Sequence, residues 1–193
     1  MIGSEALSHL TNWKDRGTCI LFGDGVGAVV LKAAERKQYL PVTHSDGSKA
    51  EALTCKSRHD TCSLSGEAEP EALLDEAHFI QMDGQAVFRF AVKKVPEVIG
   101  EVLKRNQMEQ KEADWFILHQ ANRRIVESVA KRLGEPLRKF PMNLEEYGNT
   151  SSASIPILLD EGNRKGMFRS GEKLVLAGFG GGLTWGAAIT EWE

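Results

Sequence analysis

The clearest pattern along the chain is a change of period at residue 119. Trp115, Phe116, Ile117 and Leu118 form an unbroken run of aromatic and branched residues, which predicts a short buried strand. Beyond Asn122 the apolar positions take helical spacing, at Ile125, Val126, Val129 and Leu133. Asn122 stands where a cap is needed, and Gly134 and Pro136 end the element. Arg124, Ser128 and Lys131 fall on one exposed line of that helix, with Arg132 beside it. A second helix is predicted from Gly84 to Asn106. Phe88, Ala91, Val92, Val95, Ile99, Val102 and Leu103 make its buried stripe, with Lys93, Lys94, Lys104 and Arg105 outside it. Pro96 removes an amide donor and is expected to kink or split this helix. In its first turn Gly84 and Gln85 bring backbone amides to a helix N-terminus, which suits a polar or anionic ligand group.

The flanks read mostly as strand. Thr18 to Phe22 and Val26 to Leu31 are apolar and β-branched runs around Gly23-Asp24-Gly25, which predicts two antiparallel strands joined by a tight turn. Lys173 to Phe179 and Leu183 to Trp192 predict a final hairpin around Gly180-Gly181-Gly182, where absent side chains leave backbone amides open to a substrate. Between them, Gln38 to about His78 is polar and aperiodic. So long a stretch is expected to be a lid, a partner contact or disordered. Helices and strands alternate through the second part of the chain, so the predicted class is α/β, a layered sandwich of mixed sheet with helices packed on it.

Bulk properties narrow the function. A chain of 193 residues allows one domain or one and a half. Its 24 Lys and Arg against 27 Asp and Glu leave a formal charge of -3, too mild to argue for a nucleic-acid or membrane surface. Cys19, Cys55 and Cys62 form no CxxC pair and no disulfide framework, which points to a reducing compartment. No basic-plus-apolar leader follows Met1, and runs such as Ser154 to Leu159 are too short to span a bilayer, so a cytoplasmic location is expected. No metal site is expected, because His44, His59, Cys55 and Cys62 lack zinc spacing. Gly25 and Gly27 lead into a strand and fail the dinucleotide fingerprint; no GxSxG elbow supports a serine hydrolase.

His119 stands where the strand from Trp115 stops, the end of a strand at which α/β folds gather their chemistry. Taken alone it would more often be a hydrogen-bonded structural residue, and Asn149 alone would more often be a helix cap. The surrounding words change that. His119-Gln120-Ala121-Asn122-Arg123-Arg124-Ile125 is followed by Gly148-Asn149-Thr150-Ser151-Ser152-Ala153-Ser154-Ile155-Pro156 and then by Gly178-Phe179-Gly180-Gly181-Gly182-Leu183-Thr184-Trp185-Gly186. These blocks, in this order, closely resemble the β-ketoacyl-acyl-carrier-protein synthase III family. Leu21 to Ala28 and Met82 to Phe88 are similar to it as well.

The resemblance implies a thiolase-like fold, of which this chain would be the second half only. Residues 1–35 would be a strand-pair remnant of the first half, residues 36–78 a connecting loop over the substrate entrance, and residues 79–193 the second half. It implies an acyltransferase of type II fatty acid synthesis, condensing an acyl-CoA primer with malonyl-acyl-carrier-protein. His119 and Asn149 would be the catalytic donors to a thioester oxyanion, and Phe179 would shape the pocket. Gly84, Gln85, Phe88, Ala121 and Asn122 would line the pantetheine channel; Arg124, Lys131 and Arg132 would dock the acyl carrier protein. Coenzyme A thioester and phosphopantetheine would be substrates, with no permanently bound cofactor, and the complete enzyme would be a homodimer. One departure stands out: the family's nucleophilic cysteine, at a helix N-terminus in the first half, has no equivalent here. The isolated chain is therefore expected to be inactive without a Cys-bearing N-terminal half. Two alternatives stay open: a non-catalytic module that docks a carrier protein or stabilises a subunit, and a related thiolase-fold condensing enzyme with a different acyl primer.

Overall fold

A computed structural model describes residues 1–31, 38–55 and 78–193. In chain order its regular elements are β1 (Ile2–Glu5), β2 (Gly25–Ala28), β3 (Val42–Ser45), β4 (Leu53–Thr54), β5 (Gln81–Met82), α1 (Gly84–Arg105), β6 (Trp115–Leu118), α2 (Arg123–Leu133), α3 (Leu144–Tyr147), α4 (Ser154–Arg164), β7 (Lys173–Gly180) and β8 (Thr184–Glu191). The central sheet has the order β3-β8-β7-β6, with β6 and β7 parallel and the other pairs antiparallel. The mixed sheet with helices on both faces is the α/β layering expected from the alternation of elements.

Strand alternation divides the core in two. Val175 and Ala177 of β7 face α1 and α2, where Val95, Ile99, Val102, Val126 and Val129 are buried around Phe116 and Phe140, whose rings stack at 4.8 Å. Leu174 points the other way, into a smaller cluster with Leu158 and Leu159 of α4 and with Phe168. Gly162 lets α4 lie on that phenyl ring, since a Cβ there would sit 2.4 Å from Phe168.

The helix α1 is one unbroken element through Pro96, where a kink or split was expected. The reason lies on α2. Pro96 has no N–H to give the carbonyl of Val92 one turn back, and Arg132 Nη1 donates to that oxygen at 2.6 Å. The guanidinium satisfies the acceptor that the proline leaves over.

Two other expectations change. The strand β2 pairs with β1, antiparallel from Ile2 opposite Ala28 to Glu5 opposite Gly25; the stretch from Thr18 to Leu21 is turn and Phe22 bridges to Asn149, so neither is its hairpin partner. The inner face of this ribbon is glycine because it lies directly on the start of α4. A Cβ on Gly3 would come within 2.6 Å of the Ser152 carbonyl oxygen, and one on Gly27 within 2.6 Å of Pro156 Cβ. The outer face carries Ile2 at 73% and Val26 at 65% exposure, continued by Val30 at 97%. Within the span read as a connecting loop, Val42–Ser45 is the edge strand of the central sheet, with Val42 in the main core. The rest of that span from residue 56 to residue 77, including His59 and Cys62, lies outside the described residues.

Candidate active site

The buried run of β6 ends at Leu118, and His119 is fixed by what surrounds it. Its amide donates to the Ala177 carbonyl of β7 at 2.9 Å, and the Ala121 amide turns back onto the His119 carbonyl at 3.0 Å. Gln120, fully buried, locks this turn from inside: Nε2 donates to the Leu118 carbonyl at 2.8 Å, and Oε1 accepts from the Asn143 amide at 3.3 Å. Asn122 then opens α2, its Oδ1 accepting from the Arg124 amide at 2.8 Å. Strand, turn and cap leave the imidazole little freedom.

The His119 ring meets Phe179 edge-on at 5.4 Å between centroids. Its Nδ1 lies 2.7 Å from Ser154 Oγ. Burial pushes its pKa down from 6.5 to about 4, partly opposed by the Glu5 carboxylate, so the ring is neutral at pH 7. Glu5 is itself held at the start of α4, where its Oε1 accepts from the Ser152 amide at 3.1 Å and the Ser152 hydroxyl at 2.5 Å.

Asn149 is stitched in by its backbone. Its amide donates to the Leu21 carbonyl at 2.8 Å, and its carbonyl accepts from the Gly23 amide at 3.0 Å. Gly23 is required there, because a Cβ would lie 2.2 Å from the Tyr147 carbonyl oxygen. The side-chain Oδ1 accepts from the Ser151 amide at 2.9 Å, which fixes the amide's sense and leaves Nδ2 as a donor.

His119 and Asn149 line one cavity of about 410 Å³, together with Phe179, Gly84, Phe88, Ala121 and Asn122. Gln85 is not on its wall. Of the Gly84 and Gln85 amides expected to meet a ligand, that of Gln85 is taken by the N-cap Asp83 at 3.0 Å, which also accepts from the Ala86 amide at 2.9 Å. Arg124 lies over the Phe88 ring at 5.8 Å, next to the cavity. Lys131 and Arg132 lie further along α2, away from the cavity wall, with Arg132 engaged on Val92. His119 also borders a wider, open trough of about 770 Å³ on the α4 side of the sheet, floored by Gly178, Gly180, Gly186, Thr43 and Thr184. Neutral N–H donors on the wall of the smaller cavity can stabilise an oxyanion that forms on a bound carbonyl.

Sequence reasoning missed three contributors. Ser154 stood within a run read only as small residues. Glu5 was not singled out, since its contact to Ser152 spans 147 positions. Cys55 lines the smaller cavity, although it follows the two-residue β4 and its thiol donates to the His78 carbonyl at 3.5 Å. Among the described residues no His, Cys, Asp and Glu groups cluster as a metal site, and no helix is long and apolar enough to cross a membrane.

Comparison with known proteins identifies the family of the chain. The sequence family described as 3-Oxoacyl-[acyl-carrier-protein (ACP)] synthase III matches residues 1–47, and that described as its C terminal matches residues 103–192. The β-ketoacyl-[acyl-carrier-protein] synthase III of Clostridium tetani is 47% identical over the whole chain, which covers 59% of that protein. The structure superimposes on the 3-oxoacyl-[acyl-carrier-protein] synthase III of Aquifex aeolicus with a TM-score of 0.86 at 37% identity, covering 99% of this chain and 56% of that one. The 3-oxoacyl-(acyl carrier protein) synthase III of Pseudomonas aeruginosa gives a TM-score of 0.86 at 35% identity, with 99% and 56% covered. The chain thus spans less than three fifths of the length of the relatives it matches.

Proposed function

The chain belongs to the 3-oxoacyl-[acyl-carrier-protein] synthase III family, and from that premise we propose that it supplies the oxyanion site of a decarboxylative condensation. The observation that carries this reading is that His119 and Asn149 line one cavity, with an imidazole nitrogen and an amide NH₂ left over as donors. A malonyl thioester held there loses CO₂. The electrons of the broken C–C bond pass into an enolate, and the negative charge settles on the thioester oxygen. The His119 Nε2–H and Asn149 Nδ2–H hydrogen bonds stabilise it, and removing one such donor costs about 10²–10³ in rate. The enolate carbon then attacks a second thioester, the acyl primer carried on a cysteine, and that thiolate leaves.

The cysteine comes from a Cys-bearing N-terminal half outside these residues. Cys19 does not line the cavity, and Cys55 makes with its S–H a hydrogen bond that a thiolate could not make. The open trough beside α4 and the exposed apolar face of β1 and β2 support a partner of this kind. Pantetheine enters past Phe88 and Asn122, and Arg124 meets the acidic acyl carrier protein. In this reading residues 79–193 are the second thiolase-like half and residues 1–35 the remnant of the first.

The test is reconstitution. The chain alone, given acetyl-CoA and malonyl-acyl-carrier-protein, yields no condensation product and no acyl adduct on Cys55. Adding a Cys-bearing N-terminal half from a relative restores product, and H119A and N149A each lower the restored rate by about 10²–10³. Turnover by the chain alone, or acylated Cys55, refutes the two-part reading. Restored rates indifferent to H119A and N149A refute the oxyanion role and leave a docking module.

A further inference from the structure

The reading of His119 as an oxyanion donor requires a proton on the ring nitrogen that faces the cavity, and an imidazole places its one proton on either nitrogen. Ser154 Oγ has two hydrogen-bond partners among the described residues: His119 Nδ1 at 2.7 Å and the Gln120 amide at 3.3 Å. The amide can only donate. Ser154 is 2% exposed where it borders the trough, and its hydroxyl proton has no protein acceptor among the described residues other than His119 Nδ1. Were Nδ1 also protonated, the oxygen would receive two donors and its own proton would have no acceptor. With Nδ1 bare, all three groups of this contact are satisfied: Gln120 N–H gives to Oγ, and Oγ–H gives to Nδ1. The remaining nitrogen, Nε2, has no protein partner among the described residues, and the residue lines both cavities.

We infer that Ser154 is a positioning residue that holds His119 in its Nε2–H form, with the donor turned to the substrate. This inference deepens the oxyanion reading and rests on it for its purpose, though the tautomer itself is a property of the resting chain. Ser154 touches no reacting atom; it acts through the ring it orients. The arrangement is built from three backbone-fixed points. Ser154 opens α4, the Gln120 amide belongs to the locked turn after β6, and His119 is bonded to β7 through its own amide.

The experiment is nitrogen NMR on the folded chain labelled with ¹⁵N-histidine at neutral pH, the His119 signals being identified by their absence in H119Q. Expected for the wild type is an unprotonated Nδ1 and a protonated Nε2. S154A is expected to give averaged signals from both tautomers, and S154T, which restores a hydroxyl, to return the wild-type pattern. A wild-type ring protonated on Nδ1 overturns the inference without any variant, which covers the case of an S154A chain that does not fold. An S154A ring that stays wholly Nε2–H overturns it as well. In the reconstituted enzyme S154A is expected to lower kcat about 10-fold with KM for the malonyl thioester unchanged, and S154T to recover most of it. Because the tautomer is read without turnover, its failure is distinguishable from failure of the condensation assay.

Discussion

At the scale of single residues, His119 contributes its own part of the protein's response to acid. Its pKa falls from 6.5 to about 4 because burial disfavours the imidazolium, more than the Glu5 carboxylate favours it. Between those values the unfolded chain binds a proton that the native chain refuses. The stability contribution is therefore whole above pH 6.5 and is lost as the pH falls toward 4. The difference corresponds to about 3 kcal/mol at most, and the open cavities beside the ring reduce it to about 1–2 kcal/mol. Unfolding free energies from urea melts at pH 7.5 and pH 4.5 should differ more for the wild type than for H119Q by that amount; equal losses would remove His119 from the account. The position of this residue was legible from the end of the apolar run at Leu118, and Asn149 from the Gly148-Asn149 turn and the family wording. Ser154 was not, because its partner lies 35 positions away and a serine in a run of small residues carries no periodic signal. Glu5 was hidden for the same reason.

At the scale of elements, the joint between α1 and α2 is the informative one. A proline in a helix interior normally costs about 3 kcal/mol, part of it from the carbonyl left without a donor. Arg132 makes up that loss from the neighbouring helix. R132A should destabilise the chain by about 1 kcal/mol, and the penalty should largely vanish in a P96A background, where residue 96 regains an N–H for Val92. Denaturant melts of the two single variants and the double variant measure this coupling; additive effects would refute it. The helix itself was legible from its stripe, as were β6, α2 and the last hairpin. Its continuity through Pro96 was not, since the compensating donor is supplied across a tertiary contact. The pairing of β2 was misread for a related reason. Gly23-Asp24-Gly25 has the composition of a tight turn, but its glycines answer to close packing against Tyr147 and Thr150. The true partner strand starts at Ile2.

At the scale of the whole molecule, the exposed apolar ribbon and the trough beside α4 lie around the same helix, one against its first turn and one along the sheet next to it. Val26 and Val30, at 65% and 97% exposure, lie on the outward side of the ribbon. The pair V26K and V30K should leave the fold of the chain intact, as judged by its circular dichroism. The same pair should weaken complementation by a Cys-bearing half at least about 10-fold in the concentration needed, since two exposed apolar side chains that the partner would cover are replaced by charges. Unchanged complementation would move the contact elsewhere. The two donors of the site are also anchored unequally. His119 hangs from the middle of a four-stranded ladder through Ala177, whereas Asn149 hangs from the loop at residues 21 to 23, which no strand of that ladder supports. Deuterium uptake should accordingly reach the Asn149 and Gly23 amides well before the His119 amide. On warming, such a molecule forfeits its carboxamide first and its imidazole last, so a gently heated sample would retain one arm of the pincer while the other swings free.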